Sequence, residues 1–214
     1  MTIRHPIPDD LLMGYAAGHL PPTHDLMVAT TVSLDDDARA RLAGFEALGG
    51  ALLDKGDETT VSDGSLDAVM ARIRGAKPVA VDAPVGTTAT FPAPLRDAVG
   101  GDLNAVRWKS AGMGVKQAIL GSDEGGTVRL LSIPAGQTMP DHGHHGAEFT
   151  LVLKGAFVDG GQRFARGDLE VADASTEHQP IADDGEDCIC LVVTDAPLKF
   201  SGLLPRIAQR FLKI

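Results

Sequence analysis

Apolar residues recur at three- and four-residue spacing through the first ~75 positions, then give way to short apolar runs broken by Gly, Pro and Asp. In DDLLMGYAAGHL the positions Leu11, Leu12, Tyr15, Ala16 and Leu20 share one face. This predicts a helix that Asp9 or Asp10 caps and Pro21-Pro22 ends. A second short helix is expected over residues 25–31. A third follows Asp35-Asp36-Asp37, whose charge suits a helix N-terminus, and carries Ala38, Leu42, Phe45, Leu48 and Leu52 as its stripe. The fourth, SLDAVMARIR, takes Ser65 as N-cap and Leu66, Val69, Met70 and Ile73 as its apolar face. Four short helices bury little by themselves, and so small a unit often completes its core against something else. Self-packing by Leu11, Leu12, Tyr15, Leu42, Phe45 and Leu48 is the expected core.

KPVAVDAPVGTTATFPAP has no sustained period and reads as a linker. Beyond it, VRWKS, VKQAIL, TVRLLSI, FTLVL, AFVD, RFA, DLEVA and CICLVV read as strands, with AFVDGGQRF a hairpin turning at Gly160-Gly161. Many short strands with frequent turns predict an antiparallel sandwich or barrel. The expected organisation is α+β in two domains: helices over 1–76, a linker over 77–96, and an all-β unit over 97–214.

Charge narrows the partners. The net charge of −10 argues against direct nucleic-acid binding, which needs a basic surface. Residues 1–74 hold 12 acids and 6 bases, which is either a solvated acidic face or a surface for a basic protein partner. The start MTIRHPIPDD has no apolar signal-peptide core, and no apolar run approaches the ~18 residues of a membrane helix. A cytoplasmic protein is expected. The two cysteines, Cys188 and Cys190, lie two apart on one strand face, a poor geometry for a mutual disulfide. They read as small buried residues or as a redox-sensitive pair.

GQTMPDHGHHGAEFTLVLKG concentrates three histidines and a glutamate in seven residues. On an extended segment His142 and His144 project to one side, and Glu148 has the same parity. Two imidazoles and a carboxylate converging in this way suit a metal ion, and His178 in STEHQP is the candidate fourth ligand. Such a set suits zinc, iron, manganese, nickel or copper. His145 has the opposite parity and is expected outside the site. The sequence carries no Ser-His-Asp set, phosphate loop or zinc-finger spacing, so no catalytic residue is assigned.

The spacing from Gly136 through His142, His144 and Glu148 to Gly155 matches the first cupin motif. Gly167-Asp168 followed by His178 resembles the second, more loosely, with Asp173 and Ser175 where Pro and Gly are frequent. The resemblance implies a double-stranded β-helix, or jelly roll, with a metal in its mouth. LLMGYAAGHL, VATTVSL, GSLDAVMARI, VRW, GVKQAIL, PDHGHHGAEFTLVLKGAF and DCICLVVTDAPLKF extend the resemblance along the chain to the ChrR-type anti-sigma factors. That family implies a helical domain that inhibits an extracytoplasmic-function sigma factor. It also implies a cupin domain needed for release under oxidative stress of the singlet-oxygen type, and on this resemblance zinc is the first choice for the barrel metal. Leu66, Val69, Met70 and Ile73 are the candidate sigma contacts, and Cys188 and Cys190 the candidate redox pair. One departure is large. Where the family's helical domain has zinc ligands, this chain has Pro6, Thr31, Asp35 and Ala38, so no zinc is expected there unless His5, His19 and His24 assemble another site with Asp35. The rival reading of the barrel donors is a dioxygenase-like cupin enzyme with a vestigial anti-sigma domain.

Overall fold

The computed structural model describes residues 2–76 and 89–196, and the backbone of 198–200. The expected linker positions 77–88, and the chain from 201 onward, lie outside the described residues. Helices come first: α1 (Asp9–Ala16), α2 (Pro22–Val32), α3 (Asp36–Leu53), α4 (Ser65–Gly75) and α5 (Ala93–Val99). The strands are β1 (Lys109–Gly112), β2 (Val115–Asp123), β3 (Gly126–Ile133), β4 (His142–His144), β5 (Glu148–Lys154), β6 (Ala156–Asp159), β7 (Gln162–Ala165), β8 (Leu169–Ala172), β9 (Glu177–His178), β10 (Ile181–Ala182), β11 (Cys188–Thr194) and β12 (Leu198–Phe200). Among the described residues they form a six-stranded sheet ordered β1-β2-β3-β11-β5-β8 and two three-stranded sheets, β10-β6-β7 and β12-β4-β9, in which neighbouring strands pair antiparallel. Helices followed by a cupin barrel is the α+β architecture expected from the sequence.

Alternation along the central strands divides two cores. On β11, Cys188, Cys190 and Val192 enter one core, while Ile189, Leu191 and Val193 enter the other; Leu131 and Ile133 oppose Val128 and Leu130 on β3 in the same way. The first core is the barrel interior. The second lies on the outer face of the six-stranded sheet and is closed by Ile7, Leu11, Leu12, Met27, Val28 and Leu42 of the helical segment. Both faces of β11 are therefore buried, which is why its first six residues, CICLVV, are an unbroken apolar run with no polar alternation.

The self-packed helical core expected from the sequence is thus corrected. Leu11, Leu12 and Leu42 are buried, but in a core shared with the sheet, and Leu48 and Leu52 near the end of α3 are exposed. The helix boundaries also differ in detail. The residue before α1 is Pro8, and α2 begins at Pro22, where a missing N–H costs nothing. Gly64 precedes α4, so Ser65 is its first helical residue rather than its cap. No residue of α4 is buried.

The positions where the family has zinc ligands are filled otherwise. Thr31 is buried, with its hydroxyl donating to the Met27 carbonyl at 2.9 Å. Asp35 caps α3 by accepting the Asp37 N–H at 3.0 Å, and its other oxygen is buried with no hydrogen-bond partner. Ala38 packs in the shared core and Pro6 is exposed. His5 packs on Phe164 with the rings tilted by 32° and their centroids 4.2 Å apart, and His24 meets Phe149 edge-on at 5.5 Å. Among the described residues neither belongs to a group able to hold a metal. The expected linker over 77–96 is corrected at its far end: Phe91 and Leu95 are fully buried in the shared core, and α5, which begins at Ala93, packs on α2.

Two glycine features fix the barrel's turns. Gly160 and Gly161 both have positive φ, 53° and 77°, and join β6 to β7 as the expected two-residue hairpin. Gly155, which closes the first cupin motif, has φ 69°, and a Cβ there would lie 2.8 Å from the Asp187 carbonyl oxygen.

Candidate metal centre

The three histidines come from two short paired strands. β4 pairs with β9 so that His142 lies directly opposite His178, and the two-residue repeat of β4 puts His144 on the same side as His142. Glu148 opens β5, held between Ala172 of β8 and Thr194 of β11. All four side chains are buried, and their donor atoms lie within 4.8 Å of one another. His178 Nε2 is 3.0 Å from His144 Nε2 and 3.1 Å from His142 Nε2. The four residues chosen from the sequence therefore converge. His145 is exposed, as its parity required.

Ring orientation is set by a second layer of contacts. His142 Nδ1 is 2.8 Å from the Pro140 carbonyl, which can only accept, so the ring's proton sits on Nδ1 and the Nε2 lone pair faces the cluster. His178 Nδ1 is 3.1 Å from Asp159 Oδ2 and 3.8 Å from Glu170 Oε1. Thr150 Oγ1 lies 3.5 Å from Glu148 Oε1.

Burial dominates the titration of the site. It lowers His142, and it lowers His144 to about 4 with help from the two neighbouring rings. It raises Glu148 to about 7 and raises Glu170 as well. His178 runs the other way: burial pulls it down, but the Glu170 and Asp159 carboxylates outweigh that and push it to about 9. The cluster thus holds one stable positive charge, on His178, with its Nε2–H directed at two neutral imidazoles. A divalent cation can replace that proton and use all four donors. Three imidazoles and a carboxylate, with the His142 ring already oriented, fit such an ion.

An apolar cavity of ≈ 120 Å³ opens on the cluster; Leu131, Met139, Phe157 and Val192 line it, with His142 and Glu148 at one end. Arg129 and Cys190 also border it. Cys188 and Cys190 are both buried with their sulfurs 3.5 Å apart, so the pair is closer than its spacing on one strand implied. The Cys190 thiol is raised well above its ordinary value by the Cys188 contact and by burial, which keeps it protonated and unreactive. The apolar face of α4 is exposed, at 71% for Leu66, 50% for Val69 and 62% for Ile73, while Met70 is half-buried.

Sequence reasoning did not find Arg129, Asp159 or Glu170. Glu170 carried a signal: in LEVA it has inward parity, between Leu169 and the exposed Val171, and an inward acid in a barrel strand points to a site. Asp159 looked like a turn residue because it precedes Gly160-Gly161.

A jelly-roll barrel with three histidines and a glutamate in its mouth, carrying helices on its outer sheet, defines a cupin of the metal-site type with an N-terminal helical layer. Residues 96–197 match the ChrR cupin-like domain. The chain is 48% identical, over 215 aligned residues spanning all of both proteins, to the anti-sigma-E factor ChrR of Cereibacter sphaeroides. A solved structure of Rhodobacter sphaeroides SigE in complex with the anti-sigma ChrR is 48% identical, with a TM-score of 0.79, covering 91% of this chain and 100% of that one. An RmlC-like cupin from Ralstonia eutropha is 25% identical, with a TM-score of 0.43, covering 48% of this chain and 71% of that one. The chain belongs to the ChrR family of anti-sigma factors. Among the described residues, no helix is long and apolar enough to cross a membrane.

Proposed function

We propose that this protein is an anti-sigma factor whose helical segment binds an extracytoplasmic-function sigma factor in the cytoplasm. In this reading its barrel holds one divalent metal, zinc first, on His142, His144, Glu148 and His178, and reports oxidative stress. The observation that carries the reading is the end-to-end identity with an anti-sigma-E factor, which extends through the helices as well as the barrel. Two features of this chain support it. The exposed face of α4, Leu66, Val69 and Ile73 with Met70 beside them, suits a helix docking into an apolar groove of a protein partner. The shared core couples the barrel to α1–α3, giving a change at the metal a route into the helical segment. When bound, the metal would supply a fixed charge that holds three barrel strands, β4, β5 and β9, together. Cys188 and Cys190 are both buried and the Cys190 thiol is held protonated, which makes the pair a slow redox centre and the metal cluster the better candidate for the sensor.

The cavity beside His142 and Glu148 favours a second reading, a metal-dependent cupin enzyme acting on a small apolar molecule. One experiment separates the two. The full-length protein is co-expressed with the extracytoplasmic-function sigma factors of its source, with and without chelator, and the complexes are sized. A one-to-one complex supports the anti-sigma reading. Absence of a complex with every sigma factor tested rejects it and directs attention to chemistry at the barrel metal.

A further inference from the structure

We propose that Asp159, backed by Glu170, is a positioning residue for the metal site: it takes the Nδ1–H of His178 and thereby aims the Nε2 lone pair of that ring at the ion. The proposal rests on the metal reading above and names residues that neither the cupin motif nor the family match assigns.

His178 most needs such a partner. It sits on β9, a two-residue strand paired through His142 and Gly143 of β4, so little backbone fixes the direction of its ring. The side chain is nonetheless almost wholly buried, and its two nitrogens face different chemistry. Nε2 points at His142 and His144, at 3.1 and 3.0 Å. Nδ1 points at Asp159 Oδ2, at 3.1 Å, with Glu170 Oε1 behind it at 3.8 Å. A neutral imidazole has one donor and one acceptor nitrogen, so a carboxylate that claims the proton on Nδ1 leaves Nε2 as the lone pair. A negative charge beyond the ring also makes that lone pair a stronger donor. The Pro140 carbonyl does the first of these things for His142, but it is backbone and cannot be deleted by substitution.

The two carboxylates come from elements that carry no ligand. Asp159 ends β6 beside the Gly160-Gly161 hairpin, and Glu170 lies on β8 of the six-stranded sheet. They brace His178 from the two sheets to which it does not belong. Asp159, Glu170 and His178 could also be imagined as a second cation site, since their donor atoms lie within 4.8 Å of one another. That arrangement would require His178 to give up both ring protons and bridge two ions. Positioning needs only the neutral ring.

The test uses the full-length protein stripped with chelator. Zinc affinity is measured by competition with a chromophoric chelator, stoichiometry by titration, and ligand geometry by the visible absorption of the cobalt(II)-loaded protein. Wild-type protein is expected to bind one equivalent. Asp159→Asn is expected to bind about 10- to 100-fold more weakly with an altered cobalt spectrum. Asp159→Glu should recover part of the loss, and Glu170→Gln should lose less than Asp159→Asn because it stands further from the ring. Nitrogen-15 NMR of the zinc-loaded protein adds a readout that a merely structural role would leave unmoved: the strongly hydrogen-bonded Nδ1–H of His178 in wild type, shifted toward a weaker bond in Asp159→Asn. Wild-type affinity and an unchanged cobalt spectrum in a folded Asp159→Asn would overturn the proposal while leaving the metal site standing. Two equivalents in wild type, with the second lost in that variant, would also overturn it and make the trio a cation site. Wild-type protein that binds no metal rejects the metal reading itself, and this inference with it.

Discussion

Asp123, the last residue of β2, grips Thr23 at the start of α2 with both carboxylate oxygens: Oδ2 accepts the Thr23 N–H at 2.8 Å and Oδ1 accepts its hydroxyl at 2.8 Å. Pro21, the residue in the cap position of α2, offers no side-chain cap, so a residue of the barrel caps a helix of the N-terminal layer. The chain's start is tied down in a similar way. Buried Asp168, the acid of the second cupin motif, accepts the N–H groups of Arg4 and His5 at 2.6 and 3.0 Å, and the Leu169 N–H donates to the His5 carbonyl at 2.9 Å. With the apolar core between them, these contacts make α1–α3 a layer of the barrel rather than an appendage.

Unfolding of that layer and of the barrel should therefore be one transition. Leu12 of α1 is fully buried in the shared core, and Leu12→Ala should cost about 2–5 kcal/mol. The loss should appear equally in helical circular dichroism and in the fluorescence of Trp108, the only tryptophan, which packs against the same core. A helical signal that melts early while Trp108 holds its midpoint would contradict the shared core.

The Asp123–Thr23 contact predicts an acid sensitivity. Burial raises the Asp123 pKa, but hydrogen bonds from the Thr23 N–H, the Thr23 hydroxyl and the Gly125 N–H outweigh it, and the net shift is downward. A carboxylate lowered in the folded state stabilises above its unfolded pKa and loses that contribution as pH falls through the folded value. Asp123→Asn should thus weaken the protein at pH 6 more than at pH 3 in urea unfolding. An equal deficit at both values would remove the carboxylate from the account.

Much of this was legible in the residues, but unevenly. The period along each helix placed Leu11, Leu12, Ala38 and Leu42 inward correctly, because one apolar face is what a helix must hide. It placed Leu48 and Leu52 inward as well, although the far end of α3 extends past its cover. Spacing cannot say where a neighbour stops. The candidate ligands were legible because a His-x-His on a strand shares one side by geometry. Asp159 was not, since what makes it matter is a ring that folding brings from 19 residues away, and Glu170 showed only as an inward acid, without the ring 8 residues on that it faces. The covering of the outer sheet face had a trace in the sequence: CICLVV has no polar alternation, and a strand buried on both faces needs a layer on each.

Removing two ligands should remove the metal. His142→Ala with His144→Ala deletes two of four donors and is expected to abolish zinc uptake by the barrel, measured as bound metal per protein after gel filtration. A full equivalent retained by the double variant would disprove the ligand assignment.

The metal-free protein should become less stable as pH rises from 6.5 to 9. His178 holds its proton up to about 9 when folded against 6.5 unfolded, so its contribution is complete below 6.5 and gone above 9. Glu148, raised to about 7 from 4.5, acts with the same sign up to pH 7. His144, lowered to about 4, opposes them, but only below 6.5. Saturating zinc should raise the melting temperature and flatten this slope, because the ion takes the place of the His178 proton. A melting temperature that stays level from pH 6.5 to 9 without metal would mean that His178 is not held charged by its two carboxylates.

The exposed face of α4 separates a binding role from a folding role. Leu66, Val69 and Ile73 lie on a helix with no buried residue, so Val69→Glu with Ile73→Glu removes no packing that stabilises this chain. Surface changes of that kind shift stability by no more than about 0.5 kcal/mol each, and the urea midpoint should hold. If the sigma factor covers this stripe, two buried anchors become two buried charges, and affinity should fall by at least a factor of about 10 per position. Titration calorimetry of the variant against the co-purifying sigma factor reads this directly. Undiminished affinity would move the contact surface away from α4. A lowered urea midpoint would show that the stripe already has a partner within its own chain.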